Sequence, residues 1–487
     1  MERSTALVWV LLFSGVATAE EPPSSLDSDP RIEEAVAAWT VWVENDLGAS
    51  GVPATSYSFV HRDELLASGG IGLADPDSGK AADPDTLYSI CSISKLFTSI
   101  AVMQLRDEGK LRLDDDLGQF LPWFESLTDA HPDDEPVSIR NALTHSAGLP
   151  RESDSPYWAG PDFDFPSTKQ IRERLASQQT LYPSGRYFQY SNLGMALLGE
   201  VVAERAGRPW SEVVQEKILG PLGMNDTFTS MPEAHATGRL ASGYAARRGS
   251  PERERLALFD VEGIGPAAGM ASTATDLATF ARWQLGLRAG GGDRVLRAAT
   301  LREMQRVHWV DPDWETTWGL GFSVVQRGDA TWVRHGVLCP GYATEFAILP
   351  KEELGIVVLT NAIRSNVKLY ARKAAAVLIP AVKVALDPSA EHPARDPDLK
   401  RYVGVYDSVW GREAIVLWKD GLAAVDLTSR ETDPNDWIAP LKRIEGRVFR
   451  RVRPDDGSLG EEWVFEVDRD GHVTSVISHS NPMTRVP

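Results

Sequence analysis

The sequence holds only two cysteines in 487 residues, Cys91 and Cys339. This scarcity excludes a small scaffold stapled by several disulfides. Beyond its first twenty residues the chain also lacks an apolar run of the roughly 20 residues that a membrane-spanning helix needs. With 43% hydrophobic and 24% charged residues, it is long enough to bury substantial cores. We therefore expect a globular protein without a membrane span.

Other absences narrow the classes of function. The formal net charge is −19 and no Lys/Arg cluster offsets it, so nucleic acid is not an expected partner. The nine histidines form no H-x-H or H-x-x-x-H pair, which argues against a metallohydrolase. No G-x-S-x-G stretch is present, which argues against an α/β-hydrolase.

The N-terminus has the pattern of a secretory signal. Arg3 precedes the apolar run ALVWVLLFSGV, and the stretch ATAE (17–20) is a small-x-small cleavage pattern. We expect residues 1–19 to be removed and the mature chain to be secreted or periplasmic; an uncleaved membrane anchor is the alternative. An oxidising compartment would allow the two cysteines to pair.

Composition divides the remaining chain into a large α+β domain and a small all-β domain. Residues 20–30 are polar and rich in proline and serine, and predict a disordered leader. Residues 31–386 predict strands at both ends of a helix-rich middle, so one antiparallel sheet flanked by helices can form beside a helical subdomain. Residues 387–400 carry three prolines and predict a linker. Residues 401–487 contain six short strand runs, typical of a small β-barrel or sandwich.

The stretch YSICSISKLF (88–97) places Ser92 three residues before Lys95, where a buried strand passes into a helix. Helical residues three apart lie on one face, with Cβ atoms about 5–6 Å apart. A lysine among apolar side chains would be partly desolvated, which lowers its pKa towards the range in which it can take a proton from serine. The alternative is an N-cap serine followed by a solvated lysine.

Two later stretches carry further polar candidates. In YFQYSNLGMALLG, Tyr190 can share proton transfers with a nearby lysine, and the amide of Asn192 can hold a substrate carbonyl or amide. In WVRHGVLCPGY, His335 and Gly336 lie on a strand predicted beside the sheet edge, where a charged or hydrogen-bonding histidine suits a substrate carboxylate or oxyanion. The structural alternatives are a helix cap for Asn192, a core aromatic for Tyr190 and a structural histidine.

In this order, the three motifs resemble those of the serine β-lactamase and penicillin-binding protein superfamily. Residues 92–95 match its S-x-x-K motif, residues 190–192 its Y-x-N motif and residues 335–337 its K-T-G or H-x-G motif. The likeness is closest to the class C-like branch of D-alanyl-D-alanine carboxypeptidases, D-aminopeptidases and family VIII-type esterases. It covers most of residues 30–380 through LTHSAGLP, YPSGRYFQYSN, AAGMASTATDLATFARW and LGIVVLTN. The C-terminal segment resembles the small lipocalin-like barrel often appended to such hydrolases.

The resemblance implies a catalytic site. Ser92 would be the nucleophile, and Lys95 and Tyr190 would share the base and acid roles. The backbone N–H groups of Ser92 and Leu338 would form the oxyanion hole. Water would then hydrolyse the acyl-enzyme without a metal or an organic cofactor. The implied substrate-binding residues are Asn192, His335, Gly336 and Leu338.

The third motif departs from the family pattern at its last position. The motif should end in glycine, but residue 337 is valine. Either Val337 narrows the groove, or the register is residues 334–336 with Arg334 in the cationic place. Under the first alternative, Val337 excludes bulky β-lactam-like acyl groups and leaves room for smaller or extended ones.

The same resemblance gives the cysteines a role. Cys91 directly precedes the nucleophile, and Cys339 lies two residues past the third motif when His335 opens it. Some class A β-lactamases carry a disulfide between these two places, so the resemblance implies a Cys91–Cys339 bond that braces the active-site floor. Two buried free thiols are the alternative. The bond also favours the His335 register.

The expected function is therefore that of a secreted serine hydrolase acting through an acyl-enzyme on an ester, an amide or a D-amino-acid peptide. The alternative is a penicillin-recognising sensor or scaffold that is acylated at Ser92 without turnover. The walls of the pocket decide between substrates, and the motifs do not describe those walls. The motifs also leave the oligomeric state open.

Overall fold

The computed structural model describes residues 25–154, 157–247, 252–292, 294–390 and 395–486. The predicted signal peptide (1–19), the start of the predicted leader and part of the predicted linker lie outside the described residues. From Ser25 onward the chain already belongs to the fold, since Leu26 is buried and its backbone N–H donates a hydrogen bond to Glu64. The predicted disorder therefore does not extend over residues 25–30.

An antiparallel sheet of nine strands forms the centre of the large domain. The strands of this domain are β1 (Ala54–His61), β2 (Glu64–Asp75), β3 (Lys80–Ala81), β4 (Tyr88–Ser89), β5 (Ala271–Ser272), β6 (Trp309–Val310), β7 (Thr317–Trp318), β8 (Ser323–Arg327), β9 (Ala330–Cys339), β10 (Tyr342–Leu349) and β11 (Leu354–Thr360). The nine-stranded order is β3-β2-β1-β11-β10-β9-β8-β7-β6, and β4 and β5 form a separate pair. Strands from both ends of the domain thus share one sheet, and the predicted α+β fold is confirmed.

Helices cover both faces of this sheet. They are α1 (Pro30–Ser50), α2 (Ser94–Asp107), α3 (Ile139–Leu143), α4 (Thr168–Leu175), α5 (Asn192–Ala206), α6 (Trp210–Val214), α7 (Gly220–Leu222), α8 (Met231–Ala236), α9 (Gly265–Ala268), α10 (Ala274–Arg288), α11 (Ala298–Met304) and α12 (Val367–Ala385). One hydrophobic core includes α2, α5 and α10, and a second core includes α1 and α12 on the opposite face. Among the helices of the described ranges, none has the length and apolar character needed to cross a bilayer.

The C-terminal part of the chain is a closed antiparallel barrel of eight strands. They are β12 (Gly404–Ser408), β13 (Gly411–Trp418), β14 (Gly421–Asp426), β15 (Ile438–Glu445), β16 (Val448–Val452), β17 (Leu459–Val467), β18 (Val473–Ser478) and β19 (Asn481–Arg485). The sequence predicted only six of them. It missed β15 and β19 because each contains a proline, Pro440 and Pro482, a residue that argues against a strand.

The barrel packs directly against α1 and α12. The segment between β14 and β15, residues 427–437, is named here the β14–β15 loop. The Trp42 indole N–H donates to the carbonyl of Ser429 over 3.0 Å, and the Asn45 amide donates to that of Leu427 over 3.1 Å. Asp46, which is buried, forms a 2.8 Å ion pair with Arg430. Trp437 joins the same hydrophobic core as Trp42, so the two domains share buried surface.

A buried lysine lies at this junction. Lys373 of α12 is fully buried, and its Nζ lies 4.4 Å from the ring centroid of Trp42 and 3.8 Å from that of Trp437. Among the described residues, none accepts a hydrogen bond from this ammonium group. Burial lowers the pKa of Lys373 from 10.5 to about 7, and the charge of Asp426 opposes this effect only in part. The protein therefore holds this cation at a cost below pH 7.

Replacement of Lys373 by methionine should stabilise the protein at acidic pH. The folded-state pKa lies below the unfolded value, so the cost is fully present below about pH 7 and is relieved as the pH rises from 7 towards 10. Allowing for solvent screening, we expect the wild-type free energy of unfolding to rise by about 1–2 kcal/mol between pH 6 and 9. Urea unfolding across this range should show a smaller rise in Lys373→Met, with exposed Lys383→Met as the matched control. Lower stability of Lys373→Met at every pH would show that the indole contacts outweigh the cost of burial.

Candidate active site

Ser92 lies on a sharp turn at the entrance of a helix. The 3₁₀ turn Cys91–Ile93 leads into α2, and Cys91 adopts the left-handed region with φ 35°. Left-handed backbone in a non-glycine residue is costly and is concentrated at functional sites. Ser92 remains half-buried, whereas Lys95 in the first turn of α2 is fully buried. The turn therefore exposes the serine above an inaccessible lysine.

Three oxygen atoms surround the amino group of Lys95. Its Nζ lies 3.0 Å from Ser92 Oγ, 2.8 Å from Asn192 Oδ1 and 2.8 Å from the carbonyl oxygen of Ala267. Carbonyl and amide oxygens only accept hydrogen bonds, whereas a hydroxyl can also donate. A neutral amine therefore gives its two N–H groups to Asn192 and Ala267 and keeps its lone pair for the Ser92 hydroxyl. This is the arrangement that a base for Ser92 requires.

The surroundings of Lys95 favour this neutral form. Burial holds the pKa of Lys95 well below its usual value of 10.5; the Glu152 carboxylate opposes this effect and the Arg151 cation adds to it. Burial and the Lys95 charge also hold the pKa of His145 and of His335 well below 6.5. The site thus gathers three buried nitrogen bases, each with a pKa held below its usual value chiefly by burial.

Tyr190 supplies a proton donor beside the pair. Its ring centroid lies 4.9 Å from Lys95 Nζ, 5.0 Å from the Arg151 guanidinium and 4.3 Å from the His145 ring. Burial raises the pKa of Tyr190 above 10.0, and a hydrogen bond with Ser92 opposes the rise only in part. Tyr190 is therefore a neutral phenol near pH 7, which can give a proton but cannot take one from serine.

Asn192 opens α5 but does not cap it. The neighbouring Ser191 is the N-cap, accepting a 2.8 Å hydrogen bond from the backbone N–H of Gly194. The Asn192 side chain accepts from Lys95 and donates to Glu152 Oε1 over 2.7 Å, and the residue is only 3% exposed. In this structure both ends of the amide hold protein groups, so Asn192 orients the lysine, and the residue also lines a cavity beside Ser92.

The third motif lies on β9, an interior strand of the sheet, whereas the sequence predicted a strand beside the sheet edge. Pairing with β8 stops at Arg334, so among the described strands only β10 pairs with the backbone of residues 335–339. This end of β9 therefore has a free edge beside Ser92, because Ser92 and residues 335–338 line one cavity.

The side chains of this strand separate the two registers. Arg334 forms an ion pair with Glu345, with 2.6 Å between Nη2 and Oε2. A Cβ at Gly336 would overlap this pair, so glycine leaves the space that the pair occupies. His335 is buried, and neither ring nitrogen has a hydrogen-bond partner among the described residues. The geometry favours the 335–337 register, in which the ring nitrogens of His335 can bind a substrate group, over a register that relies on Arg334, which is already paired with Glu345.

The structure joins Cys91 to Cys339 by a disulfide, with 6.6 Å between the Cα atoms. The bond ties the turn before Ser92 to the end of β9 and therefore brings Ser92 next to Leu338. Leu338 is 63% exposed, an unusual position for a leucine. The two backbone N–H groups implied for an oxyanion hole thus belong to Ser92 and Leu338, each of which adjoins one cysteine of this disulfide.

Ser92 lies between two cavities of different character. The larger has a volume of about 680 Å³ and is lined by Tyr190, Trp318, His335 and a set of basic residues. The smaller, of about 370 Å³, is lined by Glu152, Trp158 and Leu338 among others. Ser92 and Leu338 line both cavities, as does Arg151. A substrate held at Ser92 can thus extend in two directions.

The sequence analysis did not single out several residues that the structure places in the site. His145 packs against Tyr190 and accepts a 3.2 Å hydrogen bond from the backbone N–H of Ser191, and Trp318 packs 5.2 Å from His145. Glu152 holds Asn192, and Ala267 holds Lys95. The resemblance had included the stretches LTHSAGLP and AAGMAS, which contain His145 and Ala267, but it did not identify the groups that contact Tyr190 and Lys95.

In the part of the chain that the structure describes, no cluster of three or more potential metal ligands lies at this site. In the described ranges, the only group that could hold a metal ion is Asp468, Asp470 and His472, on an exposed turn of the barrel. None of the three lines either cavity beside Ser92.

The fold brings together a serine on a helix-entry turn, a buried lysine one turn later, and a tyrosine and an asparagine at the start of a second helix, the motif set of the serine β-lactamase superfamily. The chain belongs to the beta-lactamase family, because the model of the family described as Beta-lactamase matches residues 39–379.

Individual relatives support this assignment. The chain is 30% identical over 470 residues to human "Putative beta-lactamase-like 1", covering 89% of this chain and 88% of that protein. It is 27% identical over 364 residues to the D-alanyl-D-alanine-carboxypeptidase/endopeptidase AmpH of Escherichia coli K12, covering 72% and 91%. The solved octameric penicillin-binding protein homologue from Pyrococcus abyssi superposes with a TM-score of 0.63 at 22% identity, over 92% of this chain and 100% of that one. The last comparison shows a shared fold.

Proposed function

We propose that this protein is a secreted serine hydrolase that acts through an acyl-enzyme on an ester, an amide or a D-amino-acid peptide. The observation that carries the proposal is the environment of Lys95. Its amino group lies 3.0 Å from Ser92 Oγ, its other two partners are obligate acceptors, and burial lowers its pKa. A buried amine in this state is a general base for the serine.

Acylation proceeds by three proton transfers. Lys95 takes the proton of Ser92 as Oγ attacks the substrate carbonyl carbon, and the backbone N–H groups of Ser92 and Leu338 stabilise the resulting oxyanion. Tyr190 gives its phenolic proton to the leaving oxygen or nitrogen as that bond breaks, and recovers a proton from the Lys95 ammonium. Water then attacks the acyl-enzyme carbonyl by the same route, which releases the acid and restores Ser92.

The free edge of β9 supports a peptide-like or otherwise extended substrate. An extended segment can pair with residues 335–338 along the edge that faces away from β10, and so place a carbonyl at Ser92. The proposal also includes that the chain belongs to the class C-like branch and that its barrel is lipocalin-like. Export belongs to it as well, and the Cys91–Cys339 disulfide supports it because such bonds persist in oxidising compartments.

A substrate panel tests the proposal. Purified protein lacking residues 1–19 should hydrolyse at least one of p-nitrophenyl esters, nitrocefin and D-amino-acid anilides, and Ser92→Ala should abolish this activity. Ser78→Ala, at an exposed turn, is the matched control. A stoichiometric burst without steady turnover would replace the hydrolase by the penicillin-recognising sensor. Turnover that survives in Ser92→Ala would refute both.

A further inference from the structure

The larger cavity beside Ser92 is strongly basic. Six of its lining residues carry a positive charge and none carries a negative one: Arg151, Arg334, Arg364, Lys368, Arg372 and Arg430. The protein as a whole has a net charge of −19, so this concentration of cations opposes the general composition. A cleft lined by charges of one sign focuses its potential on ligands of the other sign.

Three of these six cations form no ion pair with a carboxylate in the described part of the chain. Arg334 pairs with Glu345, Arg430 with Asp46, and Arg151 lies 3.4 Å from Glu152. For Arg364, Lys368 and Arg372, no ion pair is found among the described residues. Burial and the nearby Arg327 charge lower the pKa of Arg372, and the Glu345 carboxylate opposes this effect only in part. An anion entering the cavity would offset this repulsion.

The cations come from separate parts of the chain. Arg364 lies between β11 and α12, Lys368 and Arg372 lie on the first turns of α12, and Arg430 belongs to the β14–β15 loop of the barrel. Asp46 and Trp42 of α1 fix this loop through the Arg430 ion pair and the Ser429 carbonyl. The barrel therefore contributes a positioned charge to a cavity that also contains the nucleophile.

We propose that the larger cavity binds an anionic group of the substrate, a carboxylate or a phosphate, and that Arg430 of the barrel is a specificity-determining residue. This inference rests on the proposed function, because it names the substrate class of the same Ser92 site. The anion lies against Arg364, Lys368 and Arg372, while the reacting carbonyl lies at Ser92. Since burial holds the pKa of His335 well below 6.5, the positive charge of this cavity comes from its arginines and from Lys368.

Matched esters test the specificity. In the first pair, 4-nitrophenyl hydrogen glutarate carries the charge on its acyl group and 4-nitrophenyl pentanoate is the neutral counterpart. In the second pair, 3-carboxy-4-nitrophenyl butyrate carries the charge on its leaving group and 4-nitrophenyl butyrate is the neutral counterpart. For at least one pair, the charged-to-neutral ratio of kcat/KM should exceed one and should fall about tenfold in Arg430→Ala and in Arg372→Gln. Arg430→Lys should restore part of the ratio, and Arg412→Ala, on an exposed barrel strand outside the cavity, should leave it unchanged.

Binding to the Ser92→Ala protein separates this inference from the proposed function. If wild type hydrolyses none of the esters, the hydrolase proposal fails, yet calorimetric titration of Ser92→Ala with glutarate, propyl phosphate and butyramide still tests the cavity. Tighter binding of either anion than of butyramide, weakened by Arg372→Gln, supports the inference, and the tighter anion identifies the group. Equal binding of the anions and butyramide, or ratios unaffected by both arginine variants, would overturn it.

Discussion

A Lys95→Met variant should lose at least about three orders of magnitude in kcat/KM, in line with the typical contribution of a positioned general base. Methionine is about as long as lysine and equally apolar along its stem, so it removes the amino group and leaves the packing of α2 largely unchanged. It also frees Asn192 Oδ1 and the Ala267 carbonyl, both of which bind the amine in the wild type. The loss should therefore appear in the rate of acylation, measured in stopped-flow single turnovers.

The pH dependence of the wild-type enzyme should report the same group. The neutral amine is the active form, so kcat/KM rises as the pH passes upward through the pKa of Lys95. Because burial holds that pKa well below 10.5, the midpoint of the rise should lie well below that value. Exposed Lys110→Met is the matched control and should keep the profile of the wild type. A Lys95→Met enzyme that retains a tenth of the wild-type rate would assign the base role elsewhere.

Loss of the Cys91–Cys339 disulfide should have the largest effect on stability. The bond closes a loop with a sequence separation of 248 residues, and removal of a native disulfide typically costs about 2–5 kcal/mol. The double variant Cys91→Ser/Cys339→Ser keeps the size of both side chains while removing the link, and its midpoint in urea should fall accordingly. Reduction of the wild type with dithiothreitol should give the same midpoint as the double variant.

The disulfide variant should also be slower, because the bond holds Ser92 and Leu338 together. Both N–H groups that would face the oxyanion depend on the distance between this turn and the end of β9, and loss of one such donor can cost two to three orders of magnitude in kcat. At a temperature where the variant remains folded, kcat should fall more than KM rises. Wild-type stability together with wild-type kcat would show that packing alone fixes this geometry.

The sequence indicated the parts of the site that depend on local spacing. Ser92 and Lys95 are one helical turn apart, so their proximity follows from the helix itself. Sequence reasoning did not reveal the contact of Lys95 with Ala267 across 172 residues, because only the fold brings the two together. The resemblance drew attention to the right stretches, but the ion pair that occupies Arg334 depends on Glu345 of the next strand.

The barrel shows the same limit. Its strands were recognisable by alternation except where Pro440 and Pro482 obscured it, and ring closure depends on those two strands. The contribution of Arg430 to the cavity was also beyond local patterns. The position of Arg430 depends on its ion pair with Asp46 of α1, almost four hundred residues earlier in the chain.

The hydrophobic core shared by α1, α12 and the barrel decides how this protein can be dissected. A chain cut before residue 401 would expose Trp42 and leave Asp46 buried without its arginine, so such a fragment would differ from the intact protein in solubility and folding as well as in substrate choice. Deletion of the barrel is therefore a poor test of its role in substrate binding. Single substitutions in the β14–β15 loop separate the barrel's effect on chemistry from its effect on folding.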